Sequence, residues 1–231
     1  MTLKNNGENN PNLQYSIDGA SWSTYDTTIN IDRDQTLYLK GNNLDGWSHS
    51  STKYSHFTIT GDVYLSGNVM GLVDNGTNTK FYIPCGYCFY DLFFGSTGIT
   101  SISKNFLPAK NLAVDCYLAM FAGCTSLTTT PGLSAITLAE SCYAFMFWDC
   151  TSLIVAPNLI SKNLVNECYN FIFFYCTSLA TIKISYTGNY DSKYFNGWVT
   201  DVSASGTFYY NGDQQTAQDF GLPSGWATEQ F

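Results

Sequence analysis

The chain has 231 residues, 45% apolar and 16% aromatic, enough to build a substantial packed core, yet only 12% of residues are charged. A net charge of −8 leaves no Lys/Arg footprint for neutralising phosphates, which argues against nucleic acid as a partner. No apolar run approaches the length that spans a bilayer, so no membrane insertion is expected, and residues 1–7 lack the apolar stretch of a signal peptide.

Taken in chain order, residues 1–82 read as an N-terminal β-rich domain. Leu13, Tyr15 and Ile17 alternate before an Asp18-Gly19 turn, and the same period of two recurs in Ile29 with Ile31, Leu37 with Leu39, Phe57 with Ile59 and Val63 with Leu65. A small sheet or sandwich is expected here, packed so as to shield the open edge of whatever follows.

From Ile83 the chain becomes self-similar. Segments 83–110, 111–136, 137–162 and 163–188 align column by column, and the last three repeat every 26 residues. The sixth column holds Cys88, Cys116, Cys142 and Cys168, and the seventh Phe89, Tyr117, Tyr143 and Tyr169. Leu92, Met120, Met146 and Ile172 precede Phe93, Phe121, Phe147 and Phe173, and the fourteenth column is Ser96, Cys124, Cys150 and Cys176. Cys116, Met120 and Cys124 are four apart, with Tyr117 and Phe121 as a parallel pair, which reads as a helical stripe of one or two turns that Gly123 is placed to end. The Thr-Ser-Leu that follows suits a short extended segment. One copy cannot bury its own apolar face, so the expected fold is an α/β repeat solenoid of four copies over 83–188. Residues 189–231, with Gly206-Thr207-Phe208-Tyr209-Tyr210 and Leu222-Pro223-Ser224-Gly225-Trp226, are expected to form a C-terminal cap.

Eight cysteines admit zinc, disulfide and packing readings. Zinc favours close Cys-x2–4-Cys pairs, which a spacing of eight within each copy does not supply. Two ladders of stacked thiols cannot all pair neatly, so Cys is read mainly as a small buried hydrophobe. Cys85-Gly86-Tyr87-Cys88 looks superficially like a redox motif, but Cys85 falls in the column of Ala113, Ala139 and Val165. His49 and His56 have no third partner for a triad or metal site, and Asp32, Asp34 and Asp45 show no calcium-loop spacing. Asn75-Gly76-Thr77 matches a glycosylation sequon, though Asn-Gly is more simply a turn. No cofactor and no catalytic constellation is expected.

Columns nine and twelve are Ala119 and Ala122 in the second copy, Phe145 and Trp148 in the third, and Phe171 and Phe174 in the fourth, with Tyr175 alongside. Equivalent positions about 5 Å apart would make these five aromatics one patch. Exposed apolar patches mark interaction sites, and rigid aromatics are frequent hot-spot residues; the competing reading is that the chain's own cap covers them.

Phe121-Ala122-Gly123-Cys124-Thr125-Ser126-Leu127, repeated at Phe147–Leu153 and Phe173–Leu179, resembles the aromatic-x-x-Cys-x-x-Leu core of BspA-like leucine-rich repeats. The resemblance covers residues 83 to about 185, with Ser96 and Gly98 departing from it in the first copy. It implies binding by a surface protein of gut or oral bacteria, or by a related bacteriophage protein. Two settings stand open. One is a virion-associated structural or recognition module, which the lack of a signal stretch favours. The other is a bacterial cell-surface or secreted adhesin. The expected partner is a protein or a cell-surface glycan, and a homo-oligomer fits either setting.

Overall fold

A computed structural model describes residues 1–6, 11–25, 28–212 and 215–231. Residues 7–10 and 26–27 of the expected β-rich stretch, and 213–214 of the expected cap, lie outside the described residues. In the N-terminal part, strand β1 (Thr2–Asn6) pairs antiparallel with β5 (Tyr54–Thr58), placing Leu3 opposite Phe57. Strand β2 (Leu13–Ser16) lies between β3 (Ser23–Thr24) and β4 (Tyr38–Gly41), also antiparallel. The Asp18-Gly19 turn leading from β2 is held by the Asp18 carboxylate, which accepts from Ser16 Oγ at 2.8 Å and from the Ala20 and Ser21 amides. Further along, β6 (Val63–Leu65) pairs parallel with β7 (Ile99–Ile102), after a 3₁₀ turn at Val69–Leu72 that separates them in sequence. Strands β8 (Thr181–Lys183), β9 (Ser205–Tyr209) and β10 (Gly225–Glu229) make a parallel sheet with β9 in the middle.

The α/β leucine-rich-repeat solenoid expected for 83–188 does not form. The strands fall into four separate small sheets of two or three strands, and among the described residues the one α-helix is the single turn α1 (Ser192–Phe195). The expected unit is a helix and a strand in each copy. No copy supplies the helix, and the second and third copies contribute only isolated bridges such as Ser101↔Thr129 and Val155↔Thr181.

The physical reason lies in the backbone. Tyr87, Asp91 and Gly95, then Asp115, Ala119 and Gly123, then Ser141, Phe145 and Asp149, then Glu167, Phe171 and Tyr175 all have φ between 50° and 72°. A left-handed residue at every fourth position breaks any run of right-handed helix. Tight turns form instead, and the amides divide into two sets. In the second copy the N–H groups of Leu118, Met120, Ala122 and Cys124 reach back three residues, to the carbonyls of Asp115, Tyr117, Ala119 and Phe121. Those of Asp115, Tyr117, Ala119, Phe121 and Gly123 cross to Glu140, Cys142, Ala144, Met146 and Trp148 of the next copy. Every backbone donor of this stretch is thereby satisfied, as burial demands, without a helix.

Residues 193–200 accept the same crossing bonds from the fourth copy: Phe171 and Phe173 N–H donate to the carbonyls of Asn196 and Trp198. At the other end, Phe57 N–H donates to Leu92 O, so β5 lies along the first copy. The inward rings stack in two rows. Phe93, Phe121, Phe147 and Phe173 have neighbouring centroids 5.5, 5.9 and 6.0 Å apart, and Phe89, Tyr117, Tyr143, Tyr169 and Phe195 form the second row. Each fully buried ring contributes roughly 1.5–3 kcal/mol over an exposed one. One continuous apolar cluster runs from Leu13 to Trp226.

Candidate recognition surface

Columns six, seven, ten and eleven are buried in every copy, whereas columns nine, twelve and thirteen reach the surface in the third and fourth copies. The five aromatics singled out from the sequence come together there. Phe145 stacks on Phe171 with centroids 4.8 Å apart, Trp148 meets Phe145 edge-on at 6.2 Å, Phe174 meets Phe171 at 5.6 Å, and Tyr175 meets Phe174 at 4.6 Å. Trp148 is 37% exposed and Tyr175 46%, while Phe145, Phe171 and Phe174 are half-buried. The chain covers the row only in part. Its C-terminal side rests on Gly197, where a Cβ would lie 2.3 Å from the Phe171 ring, and its N-terminal side ends at buried Ala119 and Ala122.

Phe145, Phe171 and Tyr175 sit at φ 56°, 53° and 60°. Bulky residues rarely adopt this conformation, which costs roughly 1–2 kcal/mol per residue. Ring-on-ring contacts return about 0.5–1.5 kcal/mol each.

Beside the row lies a polar depression of about 340 Å³, lined by residues including Asn166, Glu167, Asn170, Asp191, Lys193 and Asn196. Asn170 and Asn196 of this lining precede Phe171 and Gly197 in the chain, but no aromatic of the row lines the depression itself. Asn170 Oδ1 accepts from Asn196 N–H at 3.0 Å, Glu167 Oε2 accepts from Ser141 Oγ, and Asn166 Nδ2 donates to Glu140 Oε1. Sequence reasoning missed this depression, because Asn170 replaces Leu118 and Ala144 in its column without any spacing signal.

The thiols lie away from this face. Cys124, Cys150 and Cys176 Sγ donate to the carbonyls of Phe93, Phe121 and Phe147 in the preceding copies, at 3.4, 3.3 and 3.0 Å. Burial pushes Cys124 and Cys176 up to about 12 and Cys168 up to about 11, which leaves little thiolate at neutral pH. Cys85 Sγ donates to Ser48 O, and burial together with Cys85 holds the Cys88 thiol well above the ordinary range. His56 stacks on Tyr54 within β5, with burial lowering its pKa, while His49 is exposed. Asp32, Asp34 and Asp45 are exposed, and Asn75-Gly76 forms a turn with both residues at positive φ. Among the described residues no group of three or more His, Cys, Asp or Glu could hold a metal ion, and no helix is long and apolar enough to cross a membrane. Set against models of protein families, characterised proteins and solved structures, the chain matches none of them.

Proposed function

We propose that the chain is a non-catalytic recognition module, displayed on a virion, that contacts a host surface through the Phe145–Tyr175 aromatic row. One observation carries the reading: five mutually packed aromatics stay half-buried or exposed, and three of them occupy backbone positions that glycine would fill at lower cost. A row whose only task was packing would be covered like its inward neighbours Phe147 and Phe173. The surface setting draws further support from the likeness of the Phe-x-x-Cys-x-x-Leu segments to BspA-like surface and bacteriophage proteins.

The test is the double variant Trp148→Ala/Phe174→Ala. Light scattering at several concentrations and flow cytometry on bacterial cells compare it with the parent. The expected result is at least a tenfold loss of cell binding or self-association with a cooperative thermal transition retained. Unfolding or aggregation of the variant would assign the row to the core and remove the basis of the proposal. Mass spectrometry of purified particles checks the virion setting.

A further inference from the structure

Resting on that recognition reading, we infer that the row receives an arginine-rich segment of a partner protein, its guanidinium groups lying against Trp148, Phe174 and Tyr175 and pairing with the Asp149 and Asp201 carboxylates. Charge is unevenly distributed around the row. The three successive sets of turns that build and border it, 137–151, 163–177 and 189–203, carry Glu140, Asp149, Glu167, Asp191 and Asp201 against the single ammonium of Lys193. All six side chains are exposed or half-buried. A surface that sets rings beside carboxylates repels phosphates and acidic polysaccharides, and two copies pairing through it would bring carboxylate against carboxylate. A guanidinium matches both parts, since it stacks on ring faces and bonds a carboxylate through two parallel N–H groups.

The backbone places two of these carboxylates on either side of Tyr175. Asp149, Tyr175 and Asp201 occupy one column of consecutive turns, with φ of 58°, 60° and 57°. Asp149 N–H donates to Phe174 O at 2.8 Å and Tyr175 N–H to Thr200 O at 2.9 Å, so the three turns lie side by side. Equal columns and angles start the three side chains in the same direction, with Tyr175 and Asp201 exposed and Asp149 half-buried. Among the described residues neither carboxylate takes a hydrogen bond or an ion pair. Nor does a cation of the described chain use these rings. The lysines that lie over aromatic faces, Lys40, Lys80, Lys183 and Lys193, sit on Trp22, Tyr82, Phe231 and Tyr194. Rings and carboxylates are both left to a cation from outside, which gains from the two at once.

The probe is a fluorescein-labelled arginine–glycine peptide, with a glutamate–glycine peptide as control, titrated with the intact chain and followed by anisotropy at low and high salt. Asp149→Asn/Asp201→Asn removes the flanking charges with a residue that tolerates positive φ. Asp32→Asn/Asp34→Asn makes the same change of net charge at exposed sites of the N-terminal part, and thermal melts confirm folding. The expected result is arginine-peptide binding that added salt weakens. Asp149→Asn/Asp201→Asn lowers it about fivefold, Trp148→Ala/Phe174→Ala about tenfold, and the distant pair less than about twofold. Equal losses in the two aspartate pairs, or equal binding of the glutamate peptide, overturn the placement. Flow cytometry on bacterial cells separates this inference from the reading beneath it. Cell binding that needs Trp148 and Phe174 but survives Asp149→Asn/Asp201→Asn, with no arginine peptide bound, overturns the cationic partner and leaves the recognition reading standing. Failure to bind both peptide and cells overturns the two together.

Discussion

The fourteenth column allows a sharp test of how buried polar groups shape this protein. Cys150 is fully buried and its Sγ donates to Phe121 O at 3.3 Å. In the first copy the same column holds Ser96, equally buried, whose Oγ donates to Phe57 O at 2.8 Å and also accepts from Ile59 N–H at 3.1 Å. The amide in the equivalent place beside Cys150 belongs to Gly123 and is already committed to Trp148 O at 2.7 Å. A serine at 150 could keep one bond and would leave its lone pairs dry. The expected cost of Cys150→Ser is about 1–2 kcal/mol, within the range measured for under-satisfied hydroxyls. For a domain of this size that lowers Tm by roughly 2–8 °C. Ser96→Cys should cost a similar amount, because sulfur is a weak acceptor and strands the Ile59 amide. Thermal and urea unfolding under reducing conditions measure both. Two variants that melt with the parent would show the column indifferent to oxygen or sulfur and refute the reasoning.

Gly197→Ala places a Cβ 2.3 Å from the Phe171 ring at φ 59°. It should cost about 2 kcal/mol or more and alter the near-UV circular dichroism of the aromatic row, and an unchanged melt and spectrum would contradict the close approach. Burial raises the Asp91 carboxyl to about 7, with the bonded Tyr90 hydroxyl offsetting part of the effect. The folded chain therefore holds this proton where the unfolded chain, with a carboxyl near 4, has lost it. Stability contributed by this group should fall as pH rises from about 4 to 7 and stay level above that, and Asp91→Asn should flatten the slope of the urea midpoint against pH. Cys85 is the one cysteine that is not fully buried. An aromatic disulfide reagent at neutral pH should titrate about one thiol in the native chain and the remainder only in denaturant, and rapid reaction of several thiols would contradict the burial of the two columns.

Much of the candidate surface is legible in the residues themselves. Phe145, Trp148, Phe171, Phe174 and Tyr175 stand in equivalent or adjacent columns of consecutive copies, and an aligned repeat brings such columns together whatever conformation it takes. Asn170 and Asn196 are not legible in this way. Their pairing, in which Asn196 N–H donates to Asn170 Oδ1, depends on two turns 26 residues apart meeting in the packed chain, and not on residue type. Residues 191–202 carry Phe195, Trp198 and Val202 at the spacing of the inward columns, so the further set of turns could have been found by extending the alignment past a fourth copy that lacks a clean boundary.

The residues alone determined the register of 26, the inward columns of Cys and aromatic side chains, and the alignment of the five aromatics in one row, because these follow from side-chain size and polarity repeated at fixed intervals. Tertiary structure alone decided the conformation of each copy. A spacing of four in Cys116, Met120 and Cys124 fits a helix of period 3.6 and a four-residue turn almost equally well. Gly123 is readable as the end of a helical turn, whereas it is one of a series of left-handed residues that includes Asp115 and Ala119. Nothing local marks Phe145 or Tyr175 for positive φ, since bulky side chains disfavour it. What holds them there is the neighbouring copy, whose carbonyls accept every second amide and so make the turn lower in free energy than the helix.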